Sequence, residues 1–136
     1  MREIKFRAWD TIGKQWLRIT GFETAETDVS KGYTIFGKGA GLFHDGDYVG
    51  SEGIILLQYT GLKDKNGKEI YEGDIVRFHY KTGVYKIGTV VWNDLFGSWD
   101  IDCQDFVSYK SLGQYKSVSE VIGNIYENPE LLEGTV

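Results

Sequence analysis

Gln58-Tyr59-Thr60-Gly61-Leu62-Lys63-Asp64-Lys65-Asn66-Gly67-Lys68-Glu69-Ile70-Tyr71-Glu72-Gly73-Asp74-Ile75-Val76-Arg77 is the stretch that decides the fold class. Asn66-Gly67 lies between two segments rich in β-formers. That dipeptide is a strong hairpin signal, because a type I′ turn needs positive φ at both central residues. Gly73-Asp74 then interrupts the run, and Ile75-Val76-Arg77-Phe78-His79-Tyr80 opens a further strand. The pattern predicts a small β-barrel or meander. No nucleophile, general base or metal-ligand cluster sits in the stretch, so it announces architecture rather than chemistry.

Composition points the same way. A chain of 136 residues holds one typical domain or two small ones around a modest core. Gly is frequent at 18 residues and Pro is single. Val, Ile and Thr far outnumber Ala, Leu and Met, which favours short strands over helices. Four Trp, nine Tyr and seven Phe add bulk suited to half-buried pleated surfaces. The formal charge of −5 disfavours sequence-independent nucleic-acid binding, which relies on Lys and Arg neutralising phosphates. Cys103 is the single cysteine, so no intrachain disulfide forms and a reducing compartment is expected. The opening residues carry no apolar signal core. The longest aliphatic run, Ile54-Ile55-Leu56-Leu57, falls far short of the ~20 residues of a membrane span. The reading is a soluble, cytoplasmic chain with no membrane partner.

Working outward, Ile4, Phe6 and Ala8 alternate onto one face of a first strand, which turns at 10–14 and returns through Gln15–Ile19. Residues 22–31 read as a polar loop or a short helix. Tyr33-Thr34-Ile35-Phe36 reads as a strand, 37–41 as a glycine loop, and Asp45-Gly46 as a second hairpin tip. Further strands are expected near 54–62, 68–72, 74–81, 84–92, 98–103, 105–109 and 121–126. Asn128-Pro129 suits the start of one helical turn, with Asn as N-cap. No internal repeat is read. The chain divides near Leu57 into an irregular β-hairpin region, 1–57, and a compact β-barrel region, 58–136.

Three blocks resemble the YopX family of phage and prophage proteins. They are residues 2–10, opening Arg-Glu-Ile-Lys-Phe-Arg-Ala-Trp-Asp; residues 58–76 of the stretch quoted above; and residues 122–132, Ile-Gly-Asn-Ile-Tyr-Glu-Asn-Pro-Glu-Leu-Leu. They occur in the family's order and span nearly the whole chain. The resemblance implies a mainly β fold with minimal helix, whose C-terminal part is similar to an SH3-type barrel. It also implies a phage or prophage origin in a bacterium. It brings no established activity and no catalytic residues.

Candidate chemistry is sparse. Asp64-Lys65-Asn66-Gly67-Lys68-Glu69 fails as a calcium loop, because Lys68 and Ile75 occupy ligand positions. Asp100, Asp102 and Asp105 form a local carboxylate group, read chiefly as a solvated strand face that protects an edge. His44 with Asp45 and Asp47, and the distant His79, lack metal-ligand spacing. Cys103 has no basic neighbours and reads as a small core residue or an idle thiol rather than a nucleophile. Gly37, Gly39 and Gly41 do not make a phosphate loop. The aromatics Tyr71, Phe78, Tyr80, Tyr85, Trp92, Phe96 and Trp99 cluster in the C-terminal part, most of them as core. Asn93-Asp94-Leu95-Phe96-Gly97-Ser98 places Leu95 and Phe96 at an expected loop tip.

The leading expectation is therefore a non-catalytic binding or assembly protein with no cofactor and no metal. Leu95, Phe96, Trp92 and Trp99 are its candidate partner or oligomer contacts. It is expected to form a homo-oligomer and to engage a host or phage protein. The alternative is a nucleic-acid-binding protein of phage replication or regulation, disfavoured by the excess of acids over bases in residues 58–136. A metal-dependent nuclease built on Asp100 and Asp102 ranks third.

Overall fold

The structure, a computed structural model, describes residues 3–17, 19–23, 41–44, 47–50, 53–103 and 109–133, with backbone alone for 20–23, 41–44 and 47–50. The expected strand at 33–36, the glycine loop at 37–40, the Asp45-Gly46 tip and most of the expected strand at 105–109 lie outside the described residues. The fold is mainly β, as expected, built of antiparallel sheets with one short α-helix among the described residues. The chain forms two compact units, Phe6–Leu57 and residues 1–5 with Gln58–Val136.

In the Phe6–Leu57 unit, β1 (Phe6–Asp10) pairs antiparallel with β2 (Gln15–Leu17). A three-stranded sheet runs in the order β3 (Ile19–Glu23), β4 (Gly41–His44), β5 (Asp47–Gly50). Alternation puts Ala8 and Leu17 opposite each other and fully inside, packed by Ile19, Ile54 and Leu56. The predicted inward face is shorter than expected: the strand starts at Phe6, and Ile4 stays 70% exposed. So small an apolar core is supplemented by hydrogen bonds. Thr11 donates to the Gly53 carbonyl from its backbone (2.9 Å) and from its hydroxyl (2.7 Å).

In the other unit, β6 (Ile54–Lys63) from Gln58 onward pairs with β7 (Glu69–Tyr71). A five-stranded antiparallel sheet then follows the order β11 (Lys110–Ser111), β10 (Ser98–Asp102), β9 (Val84–Asn93), β8 (Asp74–Lys81), β12 (Ser119–Asn124). Its inner face carries Val76, Phe78, Val90, Ile101 and Cys103, joined by Ile70 and Leu112. Fully burying a side chain such as Phe78 or Ile101 contributes roughly 1.5–3 kcal/mol. Cys103 is a core residue, as read from sequence. β9 and β10 approach so closely at Gly88 that a Cβ there would sit 2.5 Å from Ile101 Cγ2, 2.8 Å from the Asp102 carbonyl oxygen and 2.9 Å from Cys103 Sγ. Only glycine fits that position.

The hairpin tip forms where the Asn66-Gly67 signal put it, but not as a type I′ turn. Gly67 has φ +80°, while Asn66 keeps the ordinary negative sign. Gly67 N–H donates to the Asp64 carbonyl (3.0 Å), and Asp64 N–H to that of Lys68 (2.8 Å). This is a type I turn followed by one left-handed residue. The cause is the Asp64 carboxylate, which accepts from the N–H groups of Asn66 (2.8 Å) and Lys68 (2.9 Å) and holds the wider turn. Its second oxygen accepts from Val121 N–H (2.9 Å), tying the hairpin to β12. Burial alone would push the Asp64 carboxyl up. The N–H groups of Val121, Lys68 and Asn66, with the Lys68 charge, outweigh it and hold the group below the usual 3.8.

One element is left unassigned by the sequence, and one local expectation is corrected. Residues 112–118 form helix α1 (Leu112–Tyr115) and a 3-10 turn (Lys116–Val118), which composition did not signal. Ser111 caps α1 through its hydroxyl, and fully buried Leu112 docks it on the core. Asn128 precedes the expected helical turn at Pro129–Leu132, yet its side chain does not cap it. Instead Asn128 Oδ1 accepts from Asn124 N–H (3.3 Å) at the end of β12.

Candidate functional site

The candidate contacts converge on the β9–β10 hairpin. Trp92 and Trp99 are opposed across the strands, their rings T-shaped at 5.1 Å and 67°. Between them the chain turns through 93–98. Asn93 anchors this turn: its carbonyl accepts from Gly97 N–H (2.8 Å), and its Oδ1 accepts from the N–H groups of Leu95 (3.0 Å) and Phe96 (3.4 Å). Gly97 takes the left-handed conformation that closes the turn, φ +61°. Asn93 Nδ2 donates to Asp100 Oδ2 (2.7 Å), and Ser98 Oγ to Asp100 Oδ1 (3.1 Å). The buried Asp100 carboxylate thus braces the turn from below, with both oxygens engaged.

The braced turn holds Leu95 and Phe96 outward, 83% and 75% exposed. Leu95 and Phe96 border a cleft of about 490 Å³, together with Asp100, Tyr109 and Ser111. A separate cleft of about 360 Å³ is lined by Trp92, Trp99, Gln58 and Glu72. Sequence reading named the two tryptophans but missed Gln58 and Glu72. The hairpin register held the signal for their pairing, since Glu72 N–H donates to the Gln58 carbonyl (2.9 Å). Nothing in the spacing placed that pair beside Trp92 and Trp99.

The structure separates the other candidates. Asp100 serves the turn, Asp102 is half-buried on β10, and Asp105 lies outside the described residues. Among the described residues no group of three His, Cys, Asp or Glu converges as a metal site. The side chain of His44 lies outside the described residues, and His79 packs on Tyr85 at 5.2 Å. Of the clustered aromatics, Phe78 is fully buried; Tyr85, Trp92 and Phe96 are exposed. Tyr80 is half-buried, with Lys110 Nζ 5.1 Å and Lys81 Nζ 5.9 Å from its ring centre and Tyr115 stacked at 6.4 Å.

One relationship escaped the sequence reading. The hairpin at 9–16 repeats the local design of 92–99. Trp9 and Trp16 are cross-strand partners, T-shaped at 4.9 Å and 62°. Asp10 stands where Asn93 does. Its carbonyl accepts from Lys14 N–H (2.8 Å), and its Oδ1 from Ile12 (3.0 Å) and Gly13 (2.9 Å). Lys14 takes the left-handed position, φ +55°, and Ile12 is 73% exposed at the tip. The shared spacing is Trp-Asx, a tip, one left-handed residue, a polar residue and Trp. It was legible as two tryptophan pairs at equal spacing. Here, though, Arg7 lies over the Trp16 ring, its guanidinium carbon 4.2 Å from the centre. The residue two before Trp92 is instead fully buried Val90.

Fold and site together define a mainly β protein of antiparallel sheets, whose distinctive surface is a braced aromatic hairpin. The chain belongs to the YopX family: the family described as YopX protein matches residues 5–133. Among curated proteins none matches. Solved structures are similar, among them the following two. Protein EF1440 from Enterococcus faecalis is 30% identical with a TM-score of 0.61, the match covering 97% of this chain and 99% of that one. Protein yopX from Bacillus subtilis is 20% identical with a TM-score of 0.60 over the same shares of each chain, a likeness of fold. No helix among the described residues is long and apolar enough to cross a membrane.

Proposed function

We propose that this chain is a non-catalytic binding or assembly protein of a phage or prophage, acting in the cytoplasm of a bacterial host. It engages a protein partner or a second copy of itself through the β9–β10 hairpin. The observation that carries this reading is the exposure of Leu95 and Phe96 on a turn braced by Asn93 and Asp100. A rigid apolar tip loses little side-chain and loop freedom on docking. Sedimentation at micromolar concentration tests the self-engaging form. Association is the expected result, and a clean monomer of 15.4 kDa removes it.

Tyr80 with Lys81 and Lys110 favours a second reading, a nucleic-acid contact in phage replication or regulation. Stacking of bases on tyrosine beside lysines is the physical basis. Binding to single-stranded DNA that falls steeply with rising salt supports this reading, and no binding at low salt removes it.

A further inference from the structure

The two tryptophan hairpins differ in one respect that points to a ligand. In the 9–16 hairpin, the T-shaped pair holds a cation supplied by the chain itself, Arg7 over Trp16. A second cation seat occurs at Lys5, whose ammonium pairs with Glu69 and lies 5.1 Å from the Tyr59 ring centre. These two seats join an aromatic face to a carboxylate or to a tryptophan pair, while further cations lie over Tyr85 (Arg77) and Tyr80 (Lys81 and Lys110). The cleft of Trp92, Trp99, Glu72 and Gln58 combines these parts: a T-shaped tryptophan pair with a carboxylate in the same wall. Among the described residues no lysine or arginine pairs with Glu72 or lies over Trp92 or Trp99. Val90, the counterpart of Arg7, points into the core and offers none.

We propose that this cleft receives the guanidinium of an arginine side chain presented by a partner protein, seated on Trp92 and Trp99 and paired with Glu72. A ring face attracts a cation through its quadrupole, most strongly for tryptophan. Arginine suits the place better than lysine, because its planar, weakly hydrated group stacks on indole while still bonding a carboxylate. Gln58 lines the same cleft, and its backbone N–H donates to Glu72 Oε1 (3.4 Å). The overall charge of −5 favours approach of a basic partner. The proposal rests on the binding-module reading above and names the chemistry of that partner.

The test is a titration of the full chain with a blocked peptide containing one arginine, followed through the indole N–H signals of the four tryptophans. The control peptide carries citrulline, which keeps the shape and lacks the charge. The arginine peptide is expected to move the Trp92 and Trp99 signals and leave those of Trp9 and Trp16 in place. Citrulline is expected to move none. Glu72→Gln is expected to weaken the arginine response about tenfold, the loss of roughly one charge-assisted bond. Trp92→Phe, with its unshifted signals reporting an intact fold, gives an independent weakening. Equal response to citrulline, a response confined to other tryptophans, or an unchanged titration in Glu72→Gln each overturn the proposal. Substituting Leu95 and Phe96 by Ser leaves arginine binding in place. Failure of the tip as an interface is thus distinguishable from failure of the cleft.

Discussion

The hairpins at 9–16 and 92–99 are built alike and finished differently. Both put an Asx residue at the start of the turn, a left-handed residue at its end and a T-shaped tryptophan pair beneath. In the first, the Asx is Asp10, the left-handed residue is Lys14 and Arg7 rests on the rings. In the second, they are Asn93 and Gly97, and the rings border a cleft with Glu72. The lesson is that turn chemistry and tip chemistry are separable. Hydrogen bonds to one side chain fix the loop in both cases, and this leaves the tip free to vary. One apolar residue, Ile12, stands out of the first tip; two stand out of the second.

The strongest test of that contrast is at the tips. Leu95→Ser with Phe96→Ser should weaken assembly at least tenfold, on the scale of about 2 kcal/mol for loss of an interface anchor. Ile12→Ser should leave it unchanged. Sedimentation velocity across a concentration series reads both. Equal effects would place the interface elsewhere.

Exchange of the anchors comes next. Asn93→Asp places a second carboxylate against Asp100, where Asn93 Nδ2 now donates at 2.7 Å. The lost donor and added repulsion should destabilise the fold by about 1–3 kcal/mol at neutral pH. Asp10→Asn, with no such brace, should change stability by a few tenths of a kcal/mol. Denaturant midpoints at pH 7 compare the two.

Exchange of the left-handed residues should have a smaller effect, of opposite sign at the two sites. Gly97→Lys meets open space and so pays only the backbone strain, about 1 kcal/mol. Lys14→Gly relieves the same strain and should stabilise slightly, less the entropy that glycine loses on folding. Thermal unfolding of the two variants gives the signs.

The smallest effect is a local titration. The N–H groups of Gly13 and Ile12, with the Gln15 amide, hold the Asp10 carboxyl below its usual 3.8. A depressed carboxyl favours the fold above its unfolded value and loses that contribution as pH falls through its folded value. Amide signals of Ile12 and Gly13 should therefore shift with a midpoint below 3.8. Those of Leu95 and Phe96 should lack that step from their own anchor, because Asn93 does not titrate.

Much of the fold was legible because it rests on local rules. Alternating residues gave β1, and runs of β-forming residues bounded by glycine turns gave β8 and β9. Asn66-Gly67 marked its tip, but the turn type escaped, because it depends on where the Asp64 carboxylate points and on Val121, far along the chain. Helix α1 escaped because one buried contact, Leu112, outweighs weak propensity. At the site, Leu95 and Phe96 stood out as apolar residues in a turn. Glu72 and Gln58 did not, since only the folded sheet brings them beside Trp92 and Trp99.

The close fit at Gly88 has a practical consequence. Cys103 is the single thiol, 2% exposed, and its sulfur faces the space that a side chain on Gly88 would fill. A thiol reagent can reach it only when the packing that covers it opens. The rate of labelling in native buffer therefore clocks local opening of the core beside Gly88 and Ile101, without an engineered probe. At low reagent, with fast reclosing, that rate reports the free energy of opening; at saturating reagent it reports the opening rate itself. The chain thus carries its own stopwatch for the sheet that positions the aromatic hairpin.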